Sequence, residues 1–331
     1  MAYTQLTSQE RYVIYHLRIF GLSYREIGRR LNRHHTTICR EVERNRPRYF
    51  ASIYWHEWAQ TQSSQRRRKP RHERKRDITD LVRYVERSLS ADWSPEAIAG
   101  RLRIDYPQNK LMRISPETIY RWIYRDASKG GAFYTCLRWQ HKKCRAQRRY
   151  GTGRGLIPGR TGIAQRPAIV AQRERFGDWE GDTVEGAKGL GHIASHVERK
   201  SRYLVAAKLT NKSAEVMSAA SIAAFHRIPR ALRMTLTVDN GKEFARFKQI
   251  EAQTGLAIYF ADPYSAWQRG CNENTNGLLR RYFPKGCDFS AVSDDALAFV
   301  VKKLNDRPRK CLGYQTPHEV FLQAKRGALG M

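Results

Sequence analysis

Three stretches in the carboxyl-terminal half put a carboxylate where it can do chemistry. In Leu236-Thr237-Val238-Asp239-Asn240-Gly241 an alternating strand delivers Asp239 to its C-terminal end, where Asn240-Gly241 turns the chain. Open α/β sheets collect their ligands at such ends. In residues 177–184, Asp178, Glu180 and Asp182 alternate and so face one side of a strand, and geometry alone does not choose among them. The third stretch, residues 269–280, sorts on a helical wheel. Arg269, Glu273, Asn276 and Arg280 form a polar face, with Cys271, Thr275, Leu278 and Tyr282 opposite, so Glu273 is expected outward among cations and amides. Carboxylates gathered on neighbouring elements repel, and a divalent cation holds them ionised together. Hard oxygen donors select Mg²⁺ or Mn²⁺, and three acids suffice for two ions roughly 3.5 to 4 Å apart that activate water and stabilise a leaving oxygen. The bland reading of a single acid, a surface charge or a cap, fits Asp178, Glu185, Glu198, Glu243 and Asp262.

The elements that must position these residues follow an α/β order. Strands are expected over 177–184, 192–197, 202–209, 234–238 and 256–261, with helices over 213–225, 243–253, 266–282 and 294–305. The amino-terminal half reads differently. Three short helical patterns, 12–19, 23–31 and 36–42, suit a helix-turn-helix, with Ser23 and Glu26 as a capping box and Asn32-Arg33 as the break. The third helix would enter the major groove with Arg33, His34, His35, Thr36, Thr37 and Arg40 at base edges, while Ile38 and Val42 pack inward. A solvated basic face is the plain alternative; the charge of the whole chain argues against it.

Ser94, Glu96, Ile98, Arg101 and Leu102 repeat the register of Ser23, Arg25, Ile27, Arg30 and Leu31 with identity at four of five positions. Residues 118–121 likewise resemble 37–40, so a second helix-turn-helix is expected, with Thr118 and Arg121 as its DNA contacts. Basic runs at 66–76 and 142–160 read as linkers that track phosphates. Lys plus Arg number 61 against 31 acidic residues, a formal charge of +30, which points to a polyanionic partner. Apolar runs fall far short of the roughly 20 residues of a bilayer span, so no membrane role is expected. Gln9, Glu10 and Arg11 interrupt any secretory pattern, so the expected location is cytoplasmic, in association with the nucleoid. Six scattered cysteines lack zinc-site spacing and are expected as reduced thiols.

Trp179-Glu180-Gly181-Asp182-Thr183, Asp239-Asn240-Gly241-Lys242-Glu243-Phe244 and Asn272-Glu273-Asn274-Thr275-Asn276-Gly277-Leu278 resemble the insertion-element-thirty family of bacterial transposases, and residues 304–310 resemble its closing motif. The similarity spans nearly the whole chain, and 33 residues lie between Asp239 and Glu273, as in that family. The resemblance implies a catalytic and metal-binding triad of Asp182, Asp239 and Glu273, which selects Asp182 over Asp178 and Glu180. It further implies a ribonuclease-H-like core, recognition of terminal inverted repeats in double-stranded DNA, and strand cleavage followed by attack of a 3′ hydroxyl on target DNA. The expected organisation is a helix-turn-helix domain over 1–60, a basic linker and helix over 61–90, a second helix-turn-helix-like unit over 91–141, a basic linker over 142–175 and the α/β catalytic core over 176–331. Arg269, Asn276, Arg280 and Lys285 are expected DNA contacts, and the expected assembly is a homo-oligomer, at least a dimer on DNA. Two rivals are a DNA-binding repressor without chemistry and a tyrosine recombinase, for which His196-Val197-Glu198-Arg199 offers a His-x-x-Arg pattern beside a hairpin turn.

Overall fold

The computed structural model describes residues 5–45, 53–68, 75–137, 157–263 and 265–328. The chain forms two compact units, residues 1–77 and 78–331. The first is helical: α1 (Ser8–Ile19), α2 (Tyr24–Arg30), α3 (His35–Arg44) and α4 (His56–Arg68). Thr7 and Glu10 cap α1 reciprocally, Glu10 N–H donating to Thr7 Oγ1 at 3.1 Å and Thr7 N–H to Glu10 Oε2 at 2.6 Å. The box expected at Ser23 forms only by half. Ser23 accepts the Glu26 N–H, but the Glu26 carboxylate turns to Arg29 and Arg30, cations one turn on that outcompete a backbone donor. Ile14, Ile27, Ile38 and Val42 bury the inward stripes of the three helices, with Tyr54, just ahead of α4, and Ala59, within it, closing the core. Gly28 is required where α2 meets the turn, because a Cβ there would lie 2.7 Å from the Arg33 carbonyl oxygen. The basic run expected as the first linker begins inside α4, which extends to Arg68, and residues 69–74 lie outside the described residues.

The second unit opens with α5 (Thr79–Ser90), α6 (Pro95–Asp105) and α7 (Pro116–Ala127) around Leu81, Leu89, Ile98, Leu102, Ile119 and Ile123. Ser94 and Ser115 cap α6 and α7, each followed by proline at the first helical position, a pairing that starts a helix without wasting a donor. The short α8 (Ile169–Gln172) leads into a five-stranded sheet: β1 (Asp178–Glu185), β2 (His192–Glu198), β3 (Leu204–Leu209), β4 (Thr235–Val238) and β5 (Ala257–Phe260). The strand order is β3-β2-β1-β4-β5, with β1 to β3 antiparallel and β4 and β5 parallel to β1. Residues 157–175, the described part of the expected second linker, join this fold: Ile157 enters the core and Thr161 accepts the Phe260 N–H at 2.9 Å.

Helices cover both faces of the sheet. On one, α9 (Ala214–His226), α10 (Phe247–Thr254) and α13 (Pro317–Ala328) pack around Trp179, Phe225, Leu236, Phe260 and Phe321. On the other, α11 (Gly270–Tyr282) and α12 (Asp294–Asn305) cover Val184, Ile193, Val197 and Leu204. The helical segment is tied to this α/β part. Asp92, in the left-handed region at φ 63°, accepts from Arg281 at 2.6 Å and Tyr282 Oη at 2.8 Å and pairs with Lys303 at 2.5 Å. Arg101 forks onto both carboxylate oxygens of Glu319 at 2.6 Å each. Among the described residues no helix is long and apolar enough to cross a membrane.

Candidate active site

The β1–β4 register pairs Asp178 with Thr235 and Glu180 with Thr237. Two residues beyond the last pair, on the same faces, stand Asp182 and Asp239, on neighbouring parallel strands spaced about 4.8 Å apart. Their environments separate the three alternating acids of β1. Asp178 is buried and held by Arg175 and the Thr235 hydroxyl. Glu180 is fully buried, paired with Arg199 at 3.2 Å and accepting the Asn272 backbone N–H at 2.9 Å. Asp182 alone keeps a quarter of its side chain exposed, and Asp239 is similarly half-buried. Burial pushes the Asp182 carboxyl above its ordinary pKa; Arg269 opposes this and the charge of Asp239 adds to it.

Helix α11 is fastened over these strands by its asparagines. Asn272, fully buried, donates to the carbonyls of Glu180 and Ser195, each at 3.2 Å, and accepts from Ser195 Oγ at 3.0 Å. One turn on, Asn276 Oδ1 lies 2.8 Å from the same hydroxyl, whose single hydrogen the two amide oxygens share, and Asn276 donates to Asp182 Oδ2 at 3.0 Å. Asn276, expected against DNA, therefore orients a carboxylate in this structure. Arg269, at the start of α11, straddles both aspartates: its Nη1 lies 3.3 Å from Asp182 Oδ2 and its Nη2 3.4 Å from Asp239 Oδ2. Glu273 is exposed on α11 as the wheel expected, between Arg269 and Asn276 in sequence. Among the described residues no three acids, histidines or cysteines are grouped to hold a metal, so Glu273 stands outside the Asp182–Asp239 pair. Arg280 turns its guanidinium over the Phe289 ring at 5.8 Å, and Lys285 is exposed.

Sequence reasoning missed several of these residues. Arg160 donates to Asn240, the neighbour of Asp239, and Arg166 donates to Thr237 Oγ1 at 2.9 Å. Only their place in a basic stretch marked them. Ser195, the hub between Asn272 and Asn276, carries no signal of its own; strand pairing with Asp182 puts it there. The His-x-x-Arg pattern of the rival recombinase is unavailable for chemistry. His196 is fully buried beside Ser221 and Phe225, and Arg199 is buried against Glu180.

In the first unit a cleft of about 560 Å³ is lined by Arg25, Arg29, Asn32, Arg33, His34 and His35. His34 is exposed and caps α3 through Nδ1, its ring 4.3 Å from that of His35. Thr36 and Thr37 are partly exposed on the first turn, and Arg40 is exposed. Arg33, expected at a base edge, donates to Glu10 at 2.8 Å and braces the turn against α1. In α7, Arg121 is exposed beside Glu117, and Thr118 bonds to the capping Ser115.

A sheet with parallel and antiparallel strands, helices on both faces and paired aspartates at the ends of adjacent strands defines the class. It is a ribonuclease-H-like catalytic core of the integrase type, and an integrase core domain matches residues 172–266. A helix-turn-helix domain matches residues 2–45. The chain is 38% identical over 319 residues to the transposase for insertion sequence element IS4351 of Bacteroides fragilis, covering 96% of this chain and 95% of that one. It is 39% identical over 306 residues to transposase InsI for insertion sequence element IS30A of Escherichia coli K12, covering 91% and 79%. The transposase for insertion sequence element IS1086 of Cupriavidus metallidurans is 37% identical, covering 97% and 95%. The chain belongs to the insertion-element-thirty (IS30) family of transposases; it is a DNA-binding, DDE-type polynucleotidyl transferase.

Proposed function

We propose that this transposase binds the terminal inverted repeats of its insertion element, cleaves DNA strands at those ends and joins the freed 3′ hydroxyl to target DNA, with Asp182, Asp239 and Glu273 as its catalytic residues. The observation that carries the assignment is the convergence of Asp182 and Asp239, from adjacent parallel strands, on a single cationic group. That donor set fits a divalent metal: two carboxylate oxygens already face one positive charge, and hard oxygen ligands suit Mg²⁺ or Mn²⁺. Asp182 and Asp239 would hold two ions per active site, and Glu273, outside the pair in this structure, would join them as the third ligand. When bound, such ions supply a nucleophile at neutral pH and charge stabilisation at the leaving oxygen. The protein's own part is positional. Asn276 fixes one oxygen of Asp182, Asn272 and Glu180 hold α11 to β1, and the hydrogen bond from Arg160 to Asn240 braces the turn after β4.

Recognition falls to α3, with His34, His35, Thr36, Thr37 and Arg40 toward the DNA bases and Arg33 bracing the turn. Arg121 and Thr118 of α7, together with Arg280 and Lys285, contact DNA elsewhere, and the protein works as a homo-oligomer, at least a dimer on DNA. The test is incubation of the full chain with labelled element ends, with and without Mg²⁺. Metal-dependent nicks at the element tips support the reading. Retained binding without cleavage in Mg²⁺ or Mn²⁺ sinks it in favour of a repressor, and protein covalently attached to DNA after denaturation sinks it in favour of a recombinase.

A further inference from the structure

We propose that Arg269 is a built-in counter-ion that occupies the Asp182–Asp239 pair in the DNA-free protein and competes there with divalent metal until DNA binds. The inference rests on the reading of these aspartates as metal ligands. Its basis is how the guanidinium sits. Each terminal nitrogen serves a different carboxylate, at 3.3 and 3.4 Å, and Nη1 also donates to the Gly181 carbonyl at 3.2 Å. Charge-assisted bonds normally close to about 2.7–2.9 Å, and this chain makes such bonds elsewhere, as in the fork of Arg101 on Glu319. At the aspartates the guanidinium spans two acceptors and closes fully on neither. One positive charge against two negative ones also leaves the trio short of cation. The side chain is 13% exposed, and its buried Nε has no hydrogen-bond partner among the described residues, so the guanidinium is not fully satisfied between the aspartates. Arg269 ends a single 3-10 turn (Ala266–Arg269) ahead of α11, and a long side chain there can leave the carboxylates by rotation about its own bonds. A DNA phosphate brought against the same carboxylates offers the guanidinium a planar, bidentate partner. Arginine then exchanges carboxylate for phosphate as metal enters, and the two ligands become thermodynamically coupled.

The experiment measures Mn²⁺ affinity of the full chain from the electron paramagnetic resonance signal of free Mn²⁺. It is run with and without an element-end duplex made uncleavable by replacing the 3′ bridging oxygen of the scissile linkage with methylene, which keeps the phosphate charge. Without DNA, Arg269→Gln is expected to bind Mn²⁺ about tenfold more tightly than wild type, and the gap is expected to close once the duplex is bound. Arg269→Lys keeps the charge on a head too compact to span both aspartates and is expected to lie between the two. It carries the test should the glutamine variant fail to fold. Equal DNA-free affinities in wild type and variant, or a gap that persists on DNA, overturn the role of Arg269. Asp239→Asn separates that failure from the failure of the underlying reading: weakened Mn²⁺ binding keeps the aspartates as ligands, whereas unchanged binding removes both claims.

Discussion

Glu180 and Asp182 are two residues apart on one strand face and have opposite fates. Glu180 neutralises Arg199 inside the fold and accepts from the start of α11, so removing its charge strands a buried guanidinium. Glu180→Gln is expected to lower unfolding stability by about 3–5 kcal/mol, read from urea denaturation. Asp182→Asn and Asp239→Asn are expected to leave the stability near wild type and duplex binding intact while cutting the cleavage rate by at least about 100-fold, read on labelled ends. Stable binding with undiminished cleavage by either variant would remove that residue from the chemistry. The sequence made the shared face of Asp178, Glu180 and Asp182 legible, because alternation is a local property. Which of the three stays open was not legible, because Arg175, Arg199 and Asn272 reach them only through tertiary packing.

Elements show the same division. The boundaries of β1 to β5 and of α9 and α12 were readable within two residues from periodicity and turn residues, whereas the helix expected over 266–282 begins only at Gly270, behind a 3-10 turn, and α13 was passed over after the closing basic motif. The fastening of α11 was hidden, since Asn272 and Asn276 gain meaning only when Ser195 arrives from β2. Strand β2 also carries a titratable group in its buried face. Burial pushes the His196 pKa down to about 4, below its ordinary value, so the folded protein keeps this ring neutral. A lowered folded-state pKa contributes stability that is present above about pH 6.5 and is lost as pH falls toward 4. The melting temperature of wild type is therefore expected to fall more steeply over that interval than that of His196→Gln. Parallel curves for the two proteins would assign the acid sensitivity to other groups.

For the whole molecule, a charge of +30 announced a polyanion, and the helix-turn-helix and integrase-core matches identify it as DNA. Each neutralised phosphate contributes about −0.9 to the slope of log affinity against log salt, so binding is expected to weaken steeply between low and physiological salt. A flat response would contradict the reading of the basic surface. Arg40→Ala is expected to weaken binding to element ends more than binding to random duplex, the mark of a base contact. The internal repeat was legible as a second helical unit, yet its attachment was not. The partners of Asp92 and Arg101 lie in α11, α12 and α13, far along the chain.

That attachment fixes a distance. With Asp92 gripped by Arg281, Tyr282 and Lys303, the segment of α5 to α7 is tied to the helices that cover the strands carrying Asp182 and Asp239. Any base pairs that α7 touches then stand at a constant offset from the broken bond, as the jaws of a calliper stand from each other. Loosening the grip with Asp92→Ala should blur the cut across neighbouring positions, a change that sequencing of the cleaved ends would reveal.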